Sequence, residues 1–172
     1  SGTARVLYGL GASPGLAVGK LVRHVSQHFD ITDQPGDVVA EGEALEQALL
    51  AVRAEREELE GRTRQRLSAA EAAIFAAQRE LLADPVLTRD ALVTVMQGHG
   101  AAWSWQRALR ARIDKLQQID DPLLAARAVD LRDVGERVLA QLLGIERQQI
   151  ALTEPSILAA EDLTPSDTLH LD

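Results

Sequence analysis

The chain has 172 residues and a net charge of −8, with a pI near 5.0. It has no basic stripe with interleaved aromatics to neutralise phosphates, which excludes an ordinary nucleic-acid-binding surface. Its 46% hydrophobic and 26% charged residues are a water-soluble globular composition. With no cysteine and only 3% aromatics, disulfides and thiolate metal sites are ruled out, and the core must be built from Leu, Ala, Val and Ile.

From Val6 to Val25 the chain is apolar and β-branched but interrupted by Gly9, Gly11, Pro14, Gly15 and Gly19. Each Gly or Pro costs a helix interior ~1–3 kcal/mol, so two short strands joined by a Gly/Pro turn are expected. Residues 31–36 (ITDQPG) read as a linker. Helical periodicity then runs from Asp37 to Arg66, with Val38, Leu45, Leu49, Val52 and Leu59 as the apolar face and Glu and Arg elsewhere. Ser68-Ala-Ala-Glu71 is a capping-box pattern opening a second helix, Ala69 to Ala83. Asp84-Pro85 places an N-cap before a proline at the first helical position, so the chain stops and restarts there. A third helix is predicted from Pro85 to Gln97. A fourth runs from Ala101 to Ile119, with Trp105, Leu109, Ile113 and Leu116 on one stripe. Asp121-Pro122 repeats the cap-and-proline device, and the fifth helix ends at Leu143 before Gly144. Beyond it, Ile150–Leu152 and Ile157–Ala160 read as strands, and Thr164-Pro165 as the cap of a short helix reaching Leu169. No apolar run approaches the ~20 residues that span a bilayer.

The predicted fold is mainly α, with the two β-like ends neighbours in space. A helical subdomain (37–144) is inserted into a β-containing unit whose parts are residues 1–36 and 145–172.

Four stretches in this order, GLGASPGLAVG (Gly9 to Gly19), AIFAAQRELLADPVL (Ala73 to Leu87), RAVDLRDVGERVLAQLLG (Arg127 to Gly144) and EDLTPSDT (Glu161 to Thr168), resemble the N-terminal domain of Enzyme I of the bacterial phosphoenolpyruvate–sugar phosphotransferase system. The resemblance extends to the Enzyme I-like modules of multiphosphoryl-transfer and dihydroxyacetone-kinase phosphotransferase proteins. It implies a helical bundle that binds HPr or an HPr-like phosphocarrier domain, inserted into an α/β phosphohistidine (swivelling) domain that is incomplete here. It also implies a cytoplasmic setting with no membrane or nucleic-acid partner.

In the family, the phosphohistidine lies in a Gly-Gly-x-x-Ser-His segment. Phosphoenolpyruvate and Mg²⁺ are bound by a C-terminal barrel, and a C-terminal portion makes the dimer. His24, His28, His99 and His170 lie in other contexts. The 172 residues are therefore expected to be a fragment that is monomeric, free of cofactor and inactive in transfer by itself.

For HPr docking, the resemblance nominates Phe75, Gln78, Leu81, Leu82, Asp84 and Arg127. Each has a plainer alternative. Ile74, Phe75, Gln78, Leu81 and Leu82 follow helical spacing and suit a core. Asp84 is an N-cap by local chemistry, and Arg127 suits a solvated helix face. Gln78 stands where the family commonly has His, and Glu80 where an apolar residue is usual. Thr168 matches the threonine beside the phosphohistidine, and its alternative is simple exposure near a chain end. His24 and His28 are four apart but lack helical context and a third ligand, so no metal is expected. Asp130 and Asp133 read as surface charge, and Gly11–Gly15 lacks the Lys-Ser/Thr of a phosphate loop. The alternative function is a helical interaction or scaffolding domain without phosphotransfer. A weaker one is another phosphoenolpyruvate-using enzyme with a swivelling phosphohistidine domain.

Overall fold

In the computed structural model, the residues described are 6, 8–11, 14–24, 29–145, 156–161 and 163. Strand β1 (Lys20–His24) leads into helices α1 (Val38–Arg66), α2 (Ala69–Leu82), α3 (Pro85–Met96), α4 (Ala101–Gln117) and α5 (Pro122–Leu143), and strand β2 (Ser156–Ala160) follows. The strands pair in parallel, Lys20 opposite Ser156 through His24 opposite Ala160. A parallel pair cannot be joined by a tight turn. Here all five helices form the crossover.

The helix boundaries follow local chemistry. Asp37 accepts a hydrogen bond from Ala40 N at 2.9 Å and starts α1. Glu58–Arg62 and Glu60–Arg64, both at 2.8 Å, brace its exposed C-terminal half. Ser68 Oγ accepts from Glu71 N at 3.2 Å, while the Glu71 carboxylate accepts from the Ser68 hydroxyl at 2.9 Å. That is half of the expected box, because the return bond goes to the hydroxyl. Asp84 and Asp121 cap α3 and α5 through Val86 N and Leu123 N. Gly144, at φ 64°, ends α5 in the left-handed region.

α1 packs against α2 and α5, α3 against α4, and α4 against α5. Leu45, Leu49 and Val52 of α1 meet Leu87 and Ala91 of α3, Trp105, Leu109 and Ile113 of α4, and Leu131, Val134 and Val138 of α5 in one core. Trp105 is completely buried, and its indole N–H donates to the Gly135 carbonyl at 2.9 Å. A Cβ at Gly135 would lie 2.4 and 2.5 Å from the two methyl carbons of Leu109, so α4 and α5 approach closely only because that position has no side chain.

Two expectations are corrected. Among the described residues, the Val6–Val25 stretch holds one strand. Residues 6, 8–11 and 14–19 carry none, and Tyr8, Leu10, Leu16 and Val18 are exposed. Recurrent glycine, including Gly15 at φ 121°, deprives this stretch of side chains that would pack against a neighbouring strand. Val38, assigned to the apolar face of α1, lies exposed in its first turn. The strand expected at Ile150–Leu152 and the short helix to Leu169 fall outside the described residues.

Candidate docking face and its buried polar network

α2 presents two apolar arcs. At about 100° per residue, Ala72, Phe75, Gln78 and Leu82 share one side of the helix, and all four are buried. Ala70, Ile74, Ala77 and Leu81 lie roughly a third of a turn further round. Ala70, Ile74 and Ala77 are exposed, and Leu81 is half-buried against the core. A helix needs one such arc to join a bundle. The second arc is left uncovered.

The nominated residues are thus divided. Phe75, Gln78 and Leu82 are occupied inside the fold, at 3%, 0% and 2% exposure. Leu81 borders the uncovered arc. Asp84 is half-buried and doubly engaged, capping α3 and pairing with Arg112 at 3.2 Å. Arg127 is exposed on α5, four residues after the exposed Leu123, and makes no ion pair among the described residues. Thr168, His28 and the His24 side chain lie outside the described residues.

Beneath the uncovered arc is a polar network that sequence reasoning missed. Arg56 of α1 is 1% exposed, and Asp133 of α5 is fully buried rather than surface charge. Gln78 bridges them: its Oε1 accepts from Arg56 Nη1 at 3.2 Å, and its Nε2 donates to Asp133 Oδ2 at 2.9 Å. The Arg56 guanidinium also lies 5.9 Å from the centre of the Phe75 ring. At the rim, Arg137 of α5 grips the Glu55 carboxylate with bonds of 2.9 to 3.2 Å, and Glu55 also accepts from Arg56 at 3.1 Å. Burial, and then the nearby Asp133 carboxylate, push the Asp130 carboxyl above its ordinary value. The signal for Arg56 was in the spacing. Positions 45, 49, 52, 56, 59 and 63 form one stripe, and an arginine on that stripe must be buried with its partners.

At another edge of the bundle, the linker is clasped to the start of α4. Asp33 Oδ1 accepts from Gly100 N at 2.8 Å, and its Oδ2 lies 2.7 Å from His99 Nδ1. Glu41 accepts from Ala101 N at 3.1 Å, and Gln106 donates to the Phe29 carbonyl at 3.0 Å. α4 lacks a side-chain cap of its own. Its first N–H groups are satisfied by carboxylates from the linker and α1. The Gly100 bond, and then the His99 ring, hold the Asp33 carboxyl below its usual value.

Residues 8–127 match the family described as PEP-utilising enzyme, N-terminal. The chain belongs to that family. It is 42% identical over 170 residues to the multiphosphoryl transfer protein of Xanthomonas campestris pv. campestris, a match covering 96% of the chain and 20% of that protein. It is 32% identical over 171 residues to the phosphoenolpyruvate-protein phosphotransferase of Geobacillus stearothermophilus, covering 98% of the chain and 30% of that protein. The chain thus spans 20% and 30% of the lengths of these two curated relatives.

Among solved structures, this member of the PEP-utilising family superimposes on the solution structure of Enzyme I (nEIt). The TM-score is 0.70 and the identity 30%, over 91% of the chain and 65% of that structure. It also superimposes on the N-terminal domain of Enzyme 1 - Nitrogen, with a TM-score of 0.68 and 26% identity, over 94% of the chain and 67% of that structure. These neighbours agree with a mainly α chain whose bundle is inserted between paired strands. Among the described residues, no group of three or more His, Cys, Asp or Glu side chains gathers as a metal ligand set. Among the described residues, no helix is long and apolar enough to cross a membrane.

Proposed function

We propose that this chain is the carrier-docking part of a cytoplasmic phosphoenolpyruvate-protein phosphotransferase of the Enzyme I type, and that the uncovered arc of α2, with the exposed start of α5, receives HPr. The observation that carries this reading is the second apolar arc, Ala70, Ile74, Ala77 and Leu81. Its small side chains form a low surface with Ile74 as the one large protruding anchor, the relief an apolar partner patch fits. Glu71 and Glu80, both exposed, place negative charge beside it, and Arg127 adds a cation with no competing partner among the described residues. Such a rim steers encounter and is screened over ~10 Å at 0.1 M salt, so binding weakens as salt rises.

None of the four histidines lies in a Gly-Gly-x-x-Ser-His segment. In this reading the imidazole that takes phosphate from phosphoenolpyruvate belongs to the rest of the parent polypeptide. The residues described here hold the acceptor protein in place for it.

The test is titration of the isotope-labelled chain with purified HPr. Shift changes should concentrate in residues 69–87 and 122–135, and Ile74→Glu should weaken binding about tenfold or more without loss of helix content. Changes confined to other residues would reject this face.

A further inference from the structure

We propose that Gln78 is a positioning residue for carrier docking: it fixes the rotation of α2 about its own axis, and so the placement of the docking arc, without touching the partner. This rests on the docking reading above.

Apolar packing alone specifies that rotation poorly. Six of the fourteen residues of α2 are alanine, at positions 69, 70, 72, 73, 76 and 77. They line one side of the helix, about 160° of its circumference, with nearly equivalent small side chains, and the apolar surface there is wider than the bundle covers. Turning α2 by about 20° sweeps side-chain tips ~5 Å from its axis through roughly 2 Å. That is enough to lift Ile74 out of a complementary pocket.

A buried hydrogen-bonding side chain removes this freedom, because its partners lie in fixed directions. Gln78 is the fully buried polar residue of α2, and its two bonds run to different helices, α1 through Arg56 and α5 through Asp133. The chemistry is directional. The amide oxygen must face the guanidinium and the NH₂ the carboxylate, since the reversed amide would oppose like to like on both sides. Arg56 also donates to Glu55, whose carboxylate Arg137 of α5 grips in turn. α2 is therefore keyed to an α1–α5 link that Glu55 and Arg137 make without it. Ile74 lies one turn before Gln78, so the key and the anchor move as one body.

Two substitutions separate this role from contact with the partner and from bulk stability. Gln78→Met keeps the length and removes both bonds. Gln78→Glu keeps the shape, but only its protonated form reproduces the pattern, with the O–H donating to Asp133 and the C=O accepting from Arg56. The groups around it are Glu55 and Arg56 from α1, and Asp130, Asp133 and Arg137 from α5. Burial and the facing Asp133 carboxylate push an introduced carboxyl up, against the opposing pull of Arg56, which Glu55 already engages.

The 172-residue chain and both variants are titrated with HPr across the pH range in which all remain helical. Gln78→Met should bind about tenfold or more weakly, with shift changes spread over the α2 amides in the free state. Gln78→Glu should bind within about twofold of wild type at the acidic end and about tenfold more weakly at the alkaline end, each value taken relative to wild type at the same pH. If wild type binds HPr and folded Gln78→Met binds equally well, the positioning role is overturned and the docking reading stands. A Gln78→Glu loss that is the same at every pH also overturns it, as does a direct contact between Gln78 and HPr. If wild type does not bind HPr, the docking reading falls and takes the positioning role with it. Should Gln78→Met not fold, the Gln78→Glu series decides.

Discussion

Gly135→Ala tests whether the α4–α5 contact is as tight as the structure makes it. The added Cβ meets Leu109 Cδ1 at 2.4 Å, Cδ2 at 2.5 Å and Cγ at 3.0 Å. Leu109 is 3% exposed and cannot swing into solvent. Either its rotamer is strained or the helices separate, at the ~1–3 kcal/mol typical of an overpacked core. Separation by ~1 Å also stretches the Trp105–Gly135 bond beyond hydrogen-bonding distance, leaving a buried indole N–H unsatisfied at a cost of roughly 1–3 kcal/mol. Against these stands the helix propensity of Ala over Gly, about 1 kcal/mol in favour of the variant. The net expectation is a loss of about 2 kcal/mol, which lowers Tm by roughly 4–8 °C in a chain of this size. Urea unfolding followed by tryptophan fluorescence measures it. A second arm isolates the cause. Leu109→Ala alone should lose about 2–5 kcal/mol, and in that background Gly135→Ala should become neutral or stabilising, because its methyl group then occupies space vacated by Leu109. The coupling should exceed ~1 kcal/mol. If Gly135→Ala is as stable as wild type, or if its effect is unchanged by Leu109→Ala, the steric account is wrong.

Two titrations follow from the shifted carboxyls, with opposite signs. Asp33 is held below its ordinary value by the Gly100 N–H and His99. Its ionised form therefore stabilises the fold above the unfolded-state pKa, and that contribution is lost as pH falls through the folded value. Asp33→Asn should be less stable than wild type near neutrality, with the gap closing in acid. A gap that persists in acid would remove the carboxylate from the explanation. Asp130 is raised by burial and by Asp133, so the folded state binds its proton more tightly than the unfolded state, and stability falls as pH rises through that window. Asp130→Asn should exceed wild type in stability near neutrality and lose the advantage below the unfolded pKa, ~4. An acid-side advantage would contradict the assignment.

The limits of all five helices were legible because each rests on chemistry a few residues long. Asp84-Pro85 and Asp121-Pro122 restart the chain wherever they occur, and Gly144 ends α5 by a conformation that residue favours. The strand at Lys20–His24 was less legible, since a strand is completed by its neighbour, which lies more than a hundred residues further along. The docking residues were the hardest to place. Phe75 and Ile74 are adjacent, and family position nominates the first, but only knowledge of which helices cover α2 shows that Phe75 is enclosed and Ile74 is not. Gln78 is the sharpest case. Its position in the docking helix was recognised, yet its two partners come from positions 56 and 133, and no local pattern joins three polar residues so far apart. Their burial was still foreshadowed. Leu45, Leu49, Val52 and Arg56 step along α1 by four, three and four residues, so an arginine on that stripe had to be buried with polar partners. Glu55 beside it supplies a counter-charge, and Gln78 links it onward to Asp133, which ties α2 to α1 and α5 in one rotational setting.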